Sequence, residues 1–267
     1  MIKRIFFIAV FFLLINTNVL NAGSTGSEEL KKLASNDKDT ANECFEGFSR
    51  AMFKFNHALD GAIFEPVSKG YRALPAAFRI GTGNAVNNLR SLLTFSNNIL
   101  QADFRSAGNT AGRFVINSTV GILGIFDPAA ALGFEKKGKE DFGQTIGVWG
   151  GRSGCYFVLP IIGPTTARDA IGLVGNVLLD PVYQITHNTE VMNRSYSEHN
   201  YWYYRGTGGV DFRAKNIESF NSVEKNSIDL YASVKSLYLQ DRNKKILNSQ
   251  STVETQEDGD WDEIDTN

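Results

Sequence analysis

The sequence predicts a helical protein, and two observations support this fold class. Apolar residues recur at spacings of three and four in several stretches, which is the period of one face of an α-helix. After residue 22, no stretch supplies the roughly 18 continuous apolar residues that a membrane-spanning helix needs. The helices are therefore expected to pack against one another or to lie in an interface.

The first 22 residues have the pattern of a Sec signal peptide. Lys3 and Arg4 precede an unbroken apolar run over residues 5–15, and a polar tract ends at Ala22. This order of charges, apolar run and small residue is typical of a cleaved export signal. The run is short for an uncleaved anchor, because spanning a bilayer takes about 20 residues. We expect cleavage after Ala22.

Composition divides the remaining chain into three parts. Residues 23–42 are polar and mixed in charge, which predicts a linker, and residues 43–247 hold the helical patterns. Residues 248–267 are expected to form a disordered acidic tail, because residues 254–265 contain seven acidic side chains and no basic one. The formal net charge of −2 predicts no general affinity for nucleic acid.

The chain has two cysteines, Cys44 and Cys155. Two thiols in an exported protein can pair, but two in a chain of this length do not make a disulfide scaffold. We therefore favour unpaired thiols and leave a bridge between them as the alternative. Neither cysteine lies at the predicted cleavage site, so the sequence offers no residue there for acylation.

The first helix of the mature chain is predicted from residue 43 onward. Its apolar stripe consists of Phe45, Phe48, Met52, Phe55 and Leu59. These spacings of three and four define one face of a helix. A core-facing stripe is the favoured interpretation, and the alternative is that part of the stripe contacts lipid or a membrane protein.

Two further helices are predicted over residues 84–101 and from residue 104 onward. Asp103 is placed to cap the second helix, and only two residues separate the pair, so the helices should pack antiparallel. Arg113 falls in an apolar part of the second helix. A buried arginine must be paired, which favours an ion pair or a carbonyl contact for Arg113 over a contact with a headgroup phosphate.

A short helix is predicted from the pair Asp127-Pro128 to Ala131, because aspartate caps helices and proline suits their first turn. The segment at residues 140–172 is rich in glycine and large apolar residues, with charges only near its ends. That composition predicts tightly packed irregular backbone. The segment is either a core crossing or the wall of an apolar cavity, and its residues do not separate the two.

Aromatic residues crowd residues 196–204, where Tyr201, Trp202, Tyr203 and Tyr204 are consecutive. Two interpretations compete for this segment: a turn packed on the body, and an aromatic anchor at the level of lipid headgroups. Glycines within residues 206–209 predict a break in the chain. Residues 212–247 then predict one long helix.

Several motifs resemble the MlaA/VacJ family of phospholipid-handling proteins of the Gram-negative outer membrane. They are EGFSRAMFKFNHALD at residues 46–60, GRFVINSTVGILGIFDPA at 112–129, EDFGQTIGVWG at 140–150 and YFVLPIIGPTTARDAIG at 156–172. The resemblance extends over residues 46–181, which is more than half of the expected mature chain, and the motifs follow the family's order.

The resemblance implies an all-α fold, a ring-like bundle of amphipathic helices in the inner leaflet of the outer membrane, with the glycine-rich apolar segment lining a central channel. It implies that mislocalised phospholipid is removed from the outer leaflet and passed to a periplasmic carrier similar to MlaC. A trimeric porin is the implied membrane partner. The alternative is a periplasmic adaptor that binds a porin without lipid passage. Neither task breaks a bond, so no cofactor or metal is expected.

The residues expected to line the channel come from the same motifs. They are Phe55, Asn56, Phe142, Gly143, Gly147, Trp149, Gly150, Tyr156, Leu159 and Pro160. The three glycines among them are expected to allow close backbone approach. Arg113, Arg168 and Asp169 are expected to contact headgroups or to serve as structural charges.

The chain departs from the family pattern at three places. It lacks the acylated cysteine of many members, Cys155 replaces the proline of a common Gly-Pro-Tyr motif, and Ser49 replaces a usual asparagine.

An enzyme is the rival functional class. Residues 151–155 approach a G-x-S-x-G nucleophile elbow but lack its last glycine, and Cys155 with His187 or His199 could imitate a thiol hydrolase. The three histidines have no zinc-ligand spacing, and we expect no catalytic residue.

Overall fold

The computed structural model of the chain describes residues 41–187 and 199–248. The predicted signal peptide, all but the last two residues of the predicted linker, Tyr196 and the acidic tail beyond Asn248 lie outside the described residues. Within the described ranges the chain is mostly helical, with a single two-stranded sheet. The predicted helical fold class is confirmed.

The elements follow one another along the described chain with short connections. They are α1 (Glu46–Leu59), a π-helical segment (Asp60–Phe64), α2 (Glu65–Arg72), α3 (Ala76–Leu100), α4 (Phe104–Thr119), α5 (Pro128–Ala131), α6 (Phe142–Val148), β1 (Tyr156–Leu159), β2 (Gly163–Thr166), α7 (Ala167–Leu179), α8 (Pro181–His187), α9 (His199–Lys215), α10 (Ile217–Asn226) and α11 (Leu230–Asn248).

Helices α3 and α4 form the predicted antiparallel pair. The side chain of Asp103 accepts a hydrogen bond from the backbone N–H of Ser106 at 2.9 Å and caps α4. Asn98 donates to Thr110 at 3.2 Å. Farther along the pair, Asn88 of α3 donates to Ser118 of α4 at 2.8 Å. Since residue numbers rise on one helix as they fall on the other, the antiparallel prediction is confirmed.

The glycine-rich segment is more regular than the sequence predicts. Helix α6 begins at its N-cap Asp141, and β1 and β2 form an antiparallel hairpin in which Tyr156 lies opposite Thr166 and Leu159 opposite Gly163. The prediction of irregular backbone is therefore wrong. Three of its glycines serve turns, since Gly150, Gly154 and Gly163 have positive φ angles of 89°, 69° and 92°.

A small core cluster forms where the hairpin meets α11 and the first described residue, Ala41. It contains Ala41, Tyr156, Val158 and Tyr231, all nearly inaccessible to solvent. A disulfide joins Cys44 to Cys155 beside this cluster, with 5.5 Å between the two Cα atoms. The favoured expectation of unpaired thiols is wrong. The end of the predicted linker is also part of the fold, because Ala41 belongs to this cluster and the carbonyl of Asn42 accepts a hydrogen bond from the N–H of Tyr156 at 2.9 Å.

The C-terminal helices differ from the sequence prediction in two places. Helix α9 continues through the glycines at residues 206–209, where Gly208 lies against Val86 of α3. The predicted long helix over residues 212–247 is wrong, since α10 ends at Asn226 and α11 begins after Asp229. The side chain of Asp229 accepts from the N–H of Ala232 at 3.1 Å, which caps a new helix.

Candidate functional site

The structure inverts the usual distribution of polar and apolar side chains. Among the described residues, 21 polar or charged residues are buried against 10 hydrophobic ones, while 33 large hydrophobic residues are exposed. In most proteins apolar side chains dominate the fully buried positions. Where such exposed side chains are contiguous, they mark a lipid or protein interface. The apolar exterior and the polar interior are the features that a function must explain.

The apolar stripe of α1 contributes to the exterior. Phe45, Phe48 and Phe55 are all exposed, by about half or more of their surface, whereas Met52 packs against the core cluster. The expectation that this stripe faces the core is wrong for the three phenylalanines. The alternative, a contact with lipid or a membrane protein, stays a prediction for them.

The connection between α4 and α5 is a second part of the exterior, and we call residues 120–126 the apolar loop. Five of its side chains are large, apolar and exposed, and Leu123 is 74% exposed: Val120, Ile122, Leu123, Ile125 and Phe126. Ile122 and Leu123 have left-handed backbone, with φ of 51° and 57°. Such a conformation is unfavourable for a β-branched residue and persists only where its surroundings impose it. The loop therefore presents apolar side chains at a cost in backbone energy.

The turn of the hairpin is a third exposed apolar element. We call residues 159–163 the hairpin tip, and Ile161 and Ile162 of this tip are both exposed. Asn56 of α1 holds the tip by two hydrogen bonds. It donates to the carbonyl of Leu159 at 2.8 Å and accepts from the N–H of Ile161 at 2.7 Å. Two predicted site residues, Asn56 and Leu159, are thus in direct contact, and Pro160 lies exposed between Leu159 and Ile161.

The interior face of α3 is polar, which the sequence analysis missed. Asn88, Thr94, Asn97 and Asn98 are buried along this helix, and Asn97 accepts a hydrogen bond from Thr145 of α6 at 2.8 Å. The signal that could have found this face is the recurrence of asparagine along the helix, since a buried amide needs several partners.

The predicted residues Arg168 and Asp169 belong to a buried charge cluster. Arg242 of α11 donates to both carboxylate oxygens of Asp141, at 2.6 and 3.0 Å, and to Asp169 at 2.8 Å. Asp169 also accepts from Tyr238 at 2.6 Å and from Arg168 at 3.1 Å. These contacts tie α11 to α6 and α7. Of the two roles expected for Arg168 and Asp169, the geometry matches the structural one.

Electrostatics within the cluster favour its charged forms. Burial by itself would raise the pKa of Asp141, but the guanidinium of Arg242 and the bonds from Gln144 outweigh burial and lower it to about 2. Burial opposes ionisation of Asp169 as well, and Arg242 and Tyr238 hold its pKa below the usual range. The two carboxylates in turn raise the pKa of Arg242 against the effect of its burial.

Three other predicted residues lie on or next to α6, near its contact with α7. The ring of Phe142 lies edge-on to Trp149 at 6.0 Å, and its N–H donates to Asn176 at 2.7 Å. Gly143 abuts Gly172 so closely that a Cβ on Gly172 would lie 2.5 Å from the nitrogen of Gly143. Trp149 is exposed and donates from its indole Nε1 to the carbonyl of Leu100 at 2.9 Å.

The remaining predicted glycines and Tyr156 differ in their surroundings. Gly147 allows close approach of Ile246 on α11, whereas nothing lies near the Cβ position of Gly150, which serves a turn. Tyr156 is fully buried in the core cluster, 6.2 Å from the ring of Tyr231. The structure thus assigns Tyr156 to the core instead of an open wall.

Arg113 makes both of the contacts that the favoured interpretation offered as alternatives, an ion pair and a carbonyl contact. Its guanidinium donates to Asp127 at 2.6 Å and to the carbonyl of Phe134 at 2.5 Å. Asp127 also accepts from Asn117 at 2.8 Å and, as predicted, from the N–H of Ala130 at 3.4 Å, which caps α5. Arg113 therefore fixes the far end of the apolar loop.

The thiol hydrolase alternative does not fit the structure. The sulfur of Cys155 is bonded to Cys44, so it is not a nucleophilic thiol in this state. In the part of the chain that the structure describes, no group of three or more histidine, cysteine, aspartate or glutamate side chains is placed to hold a metal ion. No helix within residues 41–187 and 199–248 combines the length and the apolar character needed to cross a membrane.

These features define a mostly helical protein with a polar interior and an apolar exterior. The chain belongs to the MlaA lipoprotein family, whose model matches residues 41–245. An uncharacterized protein of Rickettsia prowazekii is 36% identical over 146 residues, which are 54% of this chain and 58% of that protein, so the alignment spans little more than half of that relative.

Two other comparisons extend over more of the chain. The intermembrane phospholipid transport system lipoprotein MlaA of Haemophilus influenzae is 29% identical over 220 residues, which are 81% of this chain and 83% of that protein. A solved structure described as the "Structural basis for maintenance of bacterial outer membrane lipid asymmetry" has a TM-score of 0.65 and 27% identity, with 77% of this chain and 99% of that chain covered.

Proposed function

We propose that this protein takes mislocalised phospholipid from the outer leaflet of the outer membrane and passes it to a periplasmic carrier, which maintains lipid asymmetry. The inverted distribution of side chains is the observation that carries the proposal. Large apolar residues cover the exterior, and buried asparagine, threonine and charged residues fill the interior. The transport name of the Haemophilus influenzae relative and the lipid-asymmetry description of the solved structure support the same function.

The physical task explains why both features are needed. A phospholipid headgroup is charged, and an unpaired charge in hydrocarbon costs several kcal/mol or more. A passage with polar groups supplies the hydrogen bonds that the headgroup loses, while the acyl chains stay against apolar surface. No bond is made or broken, so this function uses binding groups instead of a nucleophile or a catalytic metal.

The apolar loop and the hairpin tip are the proposed membrane contacts. Both present exposed isoleucine and leucine side chains, and burial of such side chains in lipid is favourable by roughly 25 cal/mol per Å² of apolar surface. We place the protein at the periplasmic face of the outer membrane, exported by the signal peptide of residues 1–22, with residues 43–247 as the transport domain. The remaining parts of the proposal are a ring with a central channel, a trimeric porin beside it and a carrier similar to MlaC.

Membrane contact can be tested by vesicle flotation. We expect the full chain to float with vesicles of phosphatidylethanolamine and phosphatidylglycerol, and Leu123→Asp and Ile162→Asp to reduce the floated fraction. Lys225→Gln, at an exposed position on α10, is the matched control and should float like the wild type. Equal flotation of all four proteins would exclude these two elements as membrane contacts.

Transport itself can be tested in proteoliposomes that contain a fluorescent phospholipid. We expect the protein to accelerate transfer of the label to a soluble lipid-binding acceptor, relative to protein-free vesicles. If the chain is incorporated and binds a porin but transfer stays at the protein-free rate, the adaptor function is correct and the transport function is wrong.

A further inference from the structure

A polar cavity of about 90 Å³ lies between α3, α4 and the segment of residues 136–139. All of its lining residues except Gly138 are polar or charged. Its lining from the two helices consists of Asn84, Asn87, Asn88, Arg90, Ser91, Thr94, Asn109, Thr110, Arg113 and Asn117, and Asp127, Lys136, Lys137 and Lys139 complete it. One water molecule needs roughly 10–15 Å³ of such space, so the cavity has room for a group of several polar atoms. No large apolar side chain lines the cavity, which favours a polar group over an acyl chain as its occupant.

Cations greatly outnumber anions around the cavity. Two arginines and three lysines line it, against the single carboxylate of Asp127. Both oxygens of Asp127 are already engaged, one by Arg113 and the other by Asn117. Lys137 lies 3.9 Å from Glu135, which is a long ion pair. The cavity therefore carries positive charge that its own carboxylate does not neutralise.

Three of the cations have no carboxylate at ion-pair distance within the described residues: Arg90, Lys136 and Lys139. Burial and the nearby Arg205 lower the pKa of Arg90. Burial, Arg90 and Lys136 lower the pKa of Lys139 to about 8. Both shifts mean that the protein surroundings disfavour these positive charges. An anion in the cavity would relieve that penalty.

We propose that this cavity binds the phosphate of a phospholipid headgroup, with Arg90 and Lys139 as its main cationic contacts. A phosphate offers several acceptor oxygens, and the fork of an arginine with nearby lysines and asparagines supplies donors in several directions. The proposal rests on the proposed transport function, for which it names the headgroup site. Arg113, for which the sequence left headgroup contact as the alternative, is not one of these contacts, because it is already bound to Asp127.

Native mass spectrometry of the full chain, released from a non-ionic detergent, measures the binding directly. The probes are phosphatidylglycerol, a diacylglycerol with the same acyl chains but no phosphate, and inorganic phosphate. We expect Arg90→Gln and Lys139→Gln each to weaken phosphatidylglycerol binding about tenfold, since a hydrogen bond to a charged group is lost. Arg90→Lys keeps the charge but loses the fork, and should weaken binding less. Lys225→Gln is the control with a cation removed elsewhere.

The outcomes separate the possible sources of the phosphate. Diacylglycerol binding should be equal in all variants, and inorganic phosphate in excess should displace phosphatidylglycerol from the wild type. Thermal unfolding shows whether a variant is folded. If Arg90→Gln does not fold, Arg90→Lys provides a second test. The headgroup site is refuted if phosphatidylglycerol binds both glutamine variants as it binds Lys225→Gln. It is refuted as a lipid site if only inorganic phosphate binds in an Arg90-dependent way.

The transfer assay distinguishes failure of this inference from failure of the proposed function. If wild-type protein transfers phospholipid and Arg90→Gln and Lys139→Gln transfer it at the same rate, the transport function is correct and the site assignment is wrong. If the wild type transfers nothing, the transport function itself is wrong.

Discussion

The guanidinium of Arg242 binds both carboxylate oxygens of Asp141, at 2.6 and 3.0 Å, and so connects the last described helix to the start of α6, 101 residues earlier in the chain. We predict that Arg242→Met lowers the free energy of unfolding by about 3–5 kcal/mol, because it leaves the buried carboxylates of Asp141 and Asp169 without their main cation.

Urea unfolding of the detergent-solubilised protein, followed by circular dichroism, measures this loss. Lys244→Met is the matched control, since Lys244 is an exposed cation on the same helix. It should change stability by no more than about 0.5 kcal/mol. A loss of under about 1 kcal/mol in Arg242→Met would show that the charge cluster is not a main source of stability.

The same pair predicts a specific acid sensitivity. The pKa of Asp141 is about 2 in the folded protein, and an unfolded aspartate has a pKa of about 3.9. A lowered carboxyl pKa stabilises the fold at pH values above the unfolded pKa, and that stabilisation is lost as the pH falls through the folded pKa. We expect about 2 kcal/mol to be lost between pH 4 and pH 2.

Stability measured against pH in wild type and Asp141→Asn checks the acid sensitivity. The variant should be less stable at pH 7 and should lose less on acidification. Asp241→Asn, which removes an exposed carboxylate on α11, should keep the wild-type response. If wild type and Asp141→Asn lost equal stability between pH 4 and pH 2, another group would be responsible.

The sequence predicted those features that depend on neighbouring residues. Asp103 and Asp127 were identified as helix caps, because a cap needs only its own side chain and the next helical turn. The apolar face of a helix could also be predicted, but what that face contacts could not. Periodicity places Phe45, Phe48 and Phe55 on one side of α1 and does not tell a protein core from an apolar surface.

The candidate site was less predictable, since it depends on contacts between distant parts of the chain. Asn56 was named as a site residue, but its hold on the hairpin tip requires the β-hairpin, which glycine content concealed. Arg90 and Lys139 have no distinctive local pattern. Their importance comes from a cavity that forms only when α3, α4 and residues 136–139 meet.

The disulfide between Cys44 and Cys155 should contribute strongly to stability. It closes a loop with a sequence separation of 111 residues. The chain-entropy model gives about 5 kcal/mol for a loop of this length, because the cross-link restricts the unfolded chain. We expect a reductant to lower the midpoint of thermal unfolding of the wild type and to leave the Cys44→Ala, Cys155→Ala double variant unchanged. An equal midpoint for oxidised wild type and the double variant would contradict this prediction.

The hydrogen bonds from Asn56 should control the order of the hairpin tip. Asn56→Leu keeps a similar volume but removes the acceptor for the N–H of Ile161 and the donor to the carbonyl of Leu159. We predict faster amide hydrogen exchange at Ile161 and a loss of about 1 kcal/mol in stability. Asn226→Leu, which loses only a bond to Ser222 within α10, should leave exchange at Ile161 unchanged. Unchanged exchange in Asn56→Leu would mean that other contacts hold the tip.

The close contact between Gly172 of α7 and Gly143 of α6 predicts opposite effects for two identical substitutions. A Cβ on Gly172 would lie 2.5 Å from the nitrogen and 2.6 Å from the Cα of Gly143, so Gly172→Ala must separate the two helices. Gly108 lies within α4 with nothing inside 4 Å of its Cβ position. Alanine is favoured over glycine inside a helix by about 0.5–1 kcal/mol, so Gly108→Ala should stabilise the protein. The propensity gain is the same at Gly172, but overpacking typically costs about 1–3 kcal/mol, and we predict net destabilisation there. Urea unfolding of the two variants isolates the steric term, and equal stability would show that the helices do not approach this closely.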